Sequence, residues 1–463
     1  MKKISLYESS HRPIDDQLIE FRFPLFKKET LENGLTVLGL ESSFRGRGIK
    51  LPKVYFRLGI NFGEKNDPLS NEGTVELLAR VLKKGTAGRS YQEIVEEIDF
   101  TGGSLGINSS PDFFYISGSF LREYAHVGLE LISDVLLNPA FDQSEIEKER
   151  NKILAEIENE KSSPSFLAQR RLKKILYSAH PYSRSKTSQS IREITRETLL
   201  EIYQKFVGPV NICLIATGDI SFKELAEKAN KHFGQWHKGD EAKLPSFPTP
   251  EANGKRKVYL VDRPDSEQCN ILLGTLLFSR KSREYEAFQV MNKILGGGAG
   301  GRLFMTLREE KGFTYGAYSS MVCLKETGGW QATADVRNEV TGVAIDAFFE
   351  QFAELEIKSV SEEELKNAKR YLIGSFPIKN ETPAAIASLE LQRQLHDLPQ
   401  DYWNNYLKMI DRISKNDVSE MAKKYLDINS MPIVLVGDEK KIRKQLGKFG
   451  EIEMYNLDDE RIG

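Results

Sequence analysis

Two periods of apolar spacing alternate along this chain, and the same succession of them is written twice. Short runs such as "VYFRLGINF" (54–62) and "NICLIATGDI" (211–220) have the length and β-branched content of strands, whereas "SEIEKERNKILAEI" (144–157) repeats its apolar residues with a helical period. Residues 73–86, "GTVELLARVLKKGT", predict a helix with Val75, Leu78, Ala79 and Leu82 on one face and Glu76 and Arg80, one turn apart, on the other. The second copy follows in the same order. "CNILLGTLLF" (269–278) matches the first strand, with Gly274 standing for Gly59. "EEELKNAKRYLIGS" (362–375) matches the helix, and "MPIVLVGDEK" (431–440) matches the strand that ends in Gly-Asp, at Gly437-Asp438 as at Gly218-Asp219. Three ordered matches at nearly constant offset predict a duplicated domain.

Between the copies, Pro245, Pro248 and Pro250 with Gly239 and Gly254 predict an extended linker. The expected organisation is residues 1–235 as one domain, 236–256 as linker and 257–463 as the homologous second domain. Hairpin signals such as Thr327-Gly328-Gly329 point to antiparallel pairing. The predicted class is therefore α+β: two homologous domains, each a mainly antiparallel sheet with helices packed on one face. Joined by a long linker, they are expected to close on each other as a clam shell, a geometry that pattern alone does not set.

Composition narrows the picture. The 463 residues are 40% hydrophobic and 29% charged, with a formal charge of −2. Near-neutrality argues against nucleic acid or an anionic membrane as a partner held by bulk charge. No apolar run reaches membrane-spanning length, and His11, Arg12, Asp15 and Asp16 interrupt any signal-peptide pattern at the start. Cys213, Cys269 and Cys323, each in an apolar strand-like stretch, are expected to be buried free thiols, which with the rest predicts a cytoplasmic protein.

The second copy holds the most specific segment, "GGGAGGRLFMTLREEKGFTYGAYSS" (296–320). With the duplication and the "KKGT" that closes the 73–86 segment, the chain resembles the pitrilysin, insulysin and mitochondrial processing peptidase family from about residue 25 to residue 440. The resemblance implies two homologous domains around a chamber and, in catalytic members, zinc held by an inverted His-x-x-Glu-His motif and a distant glutamate. Anchored on Gly85-Thr86, that motif falls on Glu76, Ala79 and Arg80, so both histidines and the general base are absent. The distant glutamate falls on Glu156, and Glu149 matches a supporting carboxylate. Arg80 has no lone pair to give a metal and Ala79 accepts no proton, so this chain alone is expected to be inactive and to bind no zinc. None of the six histidines offers a replacement pair at i, i+4 spacing. Two expectations stand for Arg80: a charge-assisted pair with Glu156, and with Glu76, in place of the cation, or a solvated helical pair with Glu76 alone.

Arg308 and Tyr315, seven apart around "EEKGFT", match an Arg and Tyr that in the family reach the substrate backbone beside the metal. The resemblance thus implies a noncatalytic, substrate-binding subunit of a heterodimeric zinc metallopeptidase, its homologous partner carrying the intact motif and the zinc, with a peptide as substrate. A purely structural family member, and an active metalloendopeptidase using unorthodox ligands such as Glu76 and Glu156, remain the alternatives. The glycine run Gly296–Gly301 lacks the Lys-Ser/Thr of a phosphate loop and reads as a helix connection needing unusual backbone angles, with a flexible substrate-contact loop as the second possibility. His180, in "HPYSRSK", reads as structural.

Overall fold

A computed structural model describes residues 21–41, 52–237, 245–251, 254–357 and 360–463; the N-terminal segment read for targeting and part of the linker lie outside them. Twelve strands are described: β1 Lys27–Thr30, β2 Thr36–Glu41, β3 Lys53–Ile60, β4 Ser104–Ser109, β5 Phe114–Leu121, β6 Ile212–Gly218, β7 Lys257–Asp262, β8 Gln268–Leu277, β9 Thr314–Cys323, β10 Gly328–Arg337, β11 Ile433–Gly437 and β12 Glu451–Tyr455. They form two six-stranded sheets, ordered β1-β2-β6-β3-β5-β4 and β12-β7-β11-β8-β10-β9. Only β2–β6 pair in parallel in the first sheet, and only β12–β7 and β7–β11 in the second. The class is α+β with two homologous, mainly antiparallel sheets.

The repeat extends further than the sequence matches. Helices Gln143–Glu160 and Glu362–Lys379 are both 18 residues long and start 219 residues apart. Each is followed by a helix with proline at its first position, Pro164–Tyr177 and Pro383–Leu395, where the missing N–H costs nothing.

Strand alternation sends one set of side chains to each half's own helices. In β3 these are Val54, Phe56, Leu58 and Ile60; in β8 they are Cys269, Ile271 and Leu273. The opposite faces are closed by exchange. Helix Pro164–Tyr177 of the first half lies on the second sheet, burying Leu167, Leu172 and Leu176 against Val261, Leu272, Val434 and Val436. Helix Pro383–Leu395 of the second half lies on the first sheet, packing Ala387, Leu391 and Leu395 on Cys213 and Ile215. Each fully buried leucine contributes about 1.5–3 kcal/mol.

The repeated glycines make room for this exchange. A Cβ on Gly59 would come within 2.7 Å of Leu391 and 2.8 Å of Leu395, and one on Gly274 within 2.7 Å of Leu172. Leu172 and Leu391 are themselves 219 residues apart, so one contact is built twice.

Hairpin tips complete the seam. Lys65 is buried between Asp112, 2.9 Å away in the β4–β5 turn, and Glu326 in the β9–β10 turn. His180 is structural: its Nδ1 accepts the Tyr182 N–H and its Nε2 lies 3.0 Å from Glu326. Burial pushes the Glu326 carboxyl up, but the hydrogen bonds from His180 and Lys65 outweigh it and hold it below the usual carboxylate range. Gly328 and Gly329 belong to β10 rather than to the turn, and Gly329 admits the Tyr177 hydroxyl, which a Cβ there would approach to 2.8 Å. Cys213 and Cys269 are buried, while Cys323, on the edge strand β9, is only half-buried.

Candidate functional site

Helix Thr74–Val81 is fixed at its start by Asp67, whose carboxylate accepts the N–H groups of Gly73 at 2.7 Å and Val75 at 2.8 Å. Burial pushes the Asp67 carboxyl up to about 8, with those two donors opposing. Gly73 adopts φ +98°, and a Cβ there would meet Ile191 at 2.4 Å, so the entry to this helix requires glycine. Val75, Leu78, Ala79 and Leu82 enter the core, leaving Glu76 and Arg80 toward helix Gln143–Glu160.

Of the two expectations for Arg80, the structure takes the first. Its guanidinium grips Glu156 with both ends, 2.8 Å to Oε1 and 2.5 Å to Oε2, and donates to Glu76 Oε1 at 2.6 Å. The Arg80 hydrogen bond is the largest influence on Glu156 and holds its carboxyl below its ordinary value. Lys186 adds a second cation, its Nζ 2.8 Å from Glu76 Oε2 and 3.9 Å from Glu160. Two turns earlier on the same helix as Glu156, Glu149 is buried between Lys84 at 3.0 Å and Lys152 at 2.7 Å. Burial raises the Glu149 carboxyl, but these lysine contacts outweigh it and hold it low.

This cluster does not fit a zinc ion. A planar cation fills the position facing Glu156, and both carboxylates that the unorthodox-ligand alternative needs are already bonded to arginine or lysine. Among the described residues no group of three or more His, Cys, Asp or Glu side chains is arranged to hold a metal ion. Lys186 and Lys84 went unread in the sequence. Lys186 sits inside the "HPYSRSK" segment but 110 residues from its partner, and no local pattern announces such a pairing.

Removing Arg80 is expected to leave Glu76 and Glu156 facing each other without their shared donor. Arg80→Met should destabilise the protein by about 1–3 kcal/mol at neutral pH. Because the Glu156 carboxyl is lowered in the folded state, its contribution is present above the ordinary value of 4.5 and is lost as pH falls through the folded value. Urea unfolding of the two proteins should therefore converge below about pH 4.5; an unchanged difference there would reject the assignment.

Arg308 and Tyr315 are held differently. Helix Arg302–Phe304 continues into a π-helical segment, Met305–Glu310, which ends at Gly312 with φ +62°. Such widened turns recur at functional sites. Arg308 lies 4.6 Å over the Phe304 ring, its nearest carboxylate being the adjacent Glu309 at 3.5 Å. Tyr315 follows on β9, where the pairing register with β10 shifts between Ala334 and Val336. That bulge turns Tyr315 outward, and it is 89% exposed. Anchoring is firm: Arg302 holds Glu364 with 2.7 and 3.1 Å hydrogen bonds, and the Ser319 N–H donates to Gly296 O. The glycine run is the connection between helix Tyr285–Leu295 and Arg302; Gly298 has φ +152°, and a Cβ on Gly296 would strike the β9 backbone at 2.7 Å. No helix among the described residues is long and apolar enough to cross a membrane.

Two family models match the chain: "Insulinase (Peptidase family M16)" over residues 50–189 and "Peptidase M16 inactive domain" over residues 193–372. The non-peptidase homolog YmxG of Helicobacter pylori is 24% identical over 84% of this chain and 90% of its own length. A Bacillus subtilis protein named uncharacterized zinc protease YmxG is 24% identical over 77% of this chain and 85% of its own. Among solved structures, a peptidase M16 inactive domain from Pseudomonas fluorescens superposes with TM-score 0.82 at 26% identity, covering 89% of this chain and 98% of that one. A Helicobacter pylori protease shares the fold at 19% identity, with TM-score 0.84 over 90% of this chain and all of that one. Paired sheets, the repeat and both family matches agree, and the chain belongs to the M16 (insulinase) peptidase family, with no His-x-x-Glu-His in its sequence.

Proposed function

We propose that this protein is the noncatalytic, substrate-binding subunit of a heterodimeric zinc metallopeptidase acting on peptides or small proteins. The observation that carries this reading is a contrast. The motif helix is neutralised by Arg80 and Lys186, whereas Arg308 and Tyr315 stand exposed on a firmly anchored segment. In this reading a homologous partner with an intact motif supplies the metal and the attacking water. Guanidinium and phenol both donate, as stabilising charge on a peptide carbonyl oxygen requires. The peptide lies as an added strand on a sheet edge, its backbone paired with the chain that holds it.

The test is peptide cleavage by each purified subunit alone and by the mixture. Activity is expected only in the mixture, and Arg308→Ala should lower kcat by roughly a hundredfold, the usual effect of removing one oxyanion donor. Tyr315→Phe should act in the same direction. A double variant that cleaves at the unaltered rate would return the protein to a purely structural role.

A further inference from the structure

The inner face of the first sheet carries an arginine that no carboxylate among the described residues answers. Arg57 lies at the middle of β3, on the face opposite the domain's own helices. Its Nη1 donates to the Phe56 carbonyl at 2.9 Å and its Nε reaches Ser388 Oγ at a long 3.4 Å. Burial holds the guanidinium below its ordinary value, opposed by the Tyr55 phenol. A half-buried cation without a counter-ion is costly to keep, unlike the paired Arg80, Arg89 and Arg302.

Arg57 also ends a trough. Across the strands its row continues to Ser117 on β5 and Gly106 on β4, the edge strand. A Cβ added to Gly106 would meet only Ser117 and Asn108 of the same sheet, so among the described residues nothing from the second half lies over the row at its edge-strand end; Ser388 meets the row at Arg57. On the other side of Arg57 the row is closed, because Ile215 of β6 lies under helix Pro383–Leu395. The trough thus opens at the sheet edge and stops at a guanidinium about 10 Å inward, two strand spacings. About three extended residues span that distance.

We propose that Arg57 receives the free C-terminal carboxylate of a bound peptide, whose last residues cross β4 and β5 to reach it. A trough closed at one end suits a chain terminus rather than a chain passing through. Ser117, opposite Arg57 on β5, and Tyr55, two residues back along β3, bring further hydroxyls to this face. This rests on the peptide-binding reading above and assigns the substrate a class: peptides with an open C-terminal end on this subunit.

Fluorescence anisotropy on the full chain tests it, using a labelled random-sequence peptide pool without Asp or Glu, prepared as free acids and as C-terminal amides. The acids are expected to bind about tenfold more tightly, as one charge-assisted contact allows. Arg57→Gln should erase that preference and Arg57→Lys should keep part of it, with melting temperatures confirming that both fold. Peptides that bind Arg57→Gln with an undiminished acid preference would overturn the proposal while leaving peptide binding intact. An amidated pool given one internal glutamate that binds as well as the acids would overturn the terminal assignment. No binding by any pool would overturn both.

Discussion

Gly274→Val is expected to cost about 3 kcal/mol and to loosen the two halves from each other. The added Cβ would lie 2.7 Å from Leu172 and 2.9 Å from the Trp330 carbonyl oxygen, and the second of these is backbone that cannot step aside. Such a loss is a large fraction of the stability of an ordinary domain. Leu172→Ala alone should cost about 2–5 kcal/mol through lost burial and a cavity. The two substitutions touch one contact, so together they should cost less than their sum. Chemical denaturation measures all three, and limited proteolysis reads the loosening. Strict additivity, or a Gly274→Val protein as stable as its parent, would show that the exchanged helix does not lock the halves.

The second large effect concerns the metal position. Glu76→His with Arg80→His would set two imidazoles one turn apart beside Glu156, the two-histidine, one-carboxylate set that suits catalytic zinc. Lys186 complicates this result. Its Nζ now rests on Glu76, and once that partner is gone its charge faces the metal. The double variant is expected to take up zinc weakly, and adding Lys186→Met should tighten binding by about tenfold or more. Elemental analysis after dialysis, with competition by a chromophoric chelator, measures both. Equal affinity with and without Lys186 would remove that lysine from the account. Since Ala79 is buried in the core, a general base there is not part of the test.

Local chemistry decided what was legible in the sequence. The duplication was readable because strand-then-Gly-Asp and an 18-residue helix are continuous patterns that survive divergence in the same order. The exchange of helices was not. Pro164–Tyr177 and Pro383–Leu395 carry leucines at helical spacing whichever sheet they cover, and period names a face without naming its partner. Gly328-Gly329 read as a turn for the same reason: glycine marks close approach as readily as reversal. At the metal position, the absence of histidines was visible at once, and Arg80 with Glu156 was an open expectation. Lys186 was invisible because its meeting with Glu76 is set by tertiary folding alone. Tyr315 owes its exposure to a bulge, an irregularity that no alternation pattern encodes.

The reciprocal helix exchange has a consequence for ancestry. A solitary half would expose the inner face of its sheet, Cys213 and Ile215 in one case and Val434 and Val436 in the other, with no helix of its own to cover it. The smallest self-sufficient forerunner of this architecture is therefore a symmetric pair of half-length chains, each lending a helix to the other. Fusing such a pair frees equivalent positions to drift apart. Glu149 and Glu156 correspond, 219 residues on, to Ala368 and Ser375, so only the first half bears carboxylates at these two positions. The asymmetry between a neutralised first half and a second half displaying Arg308 and Tyr315 is one that an obligate symmetric pair could not have evolved.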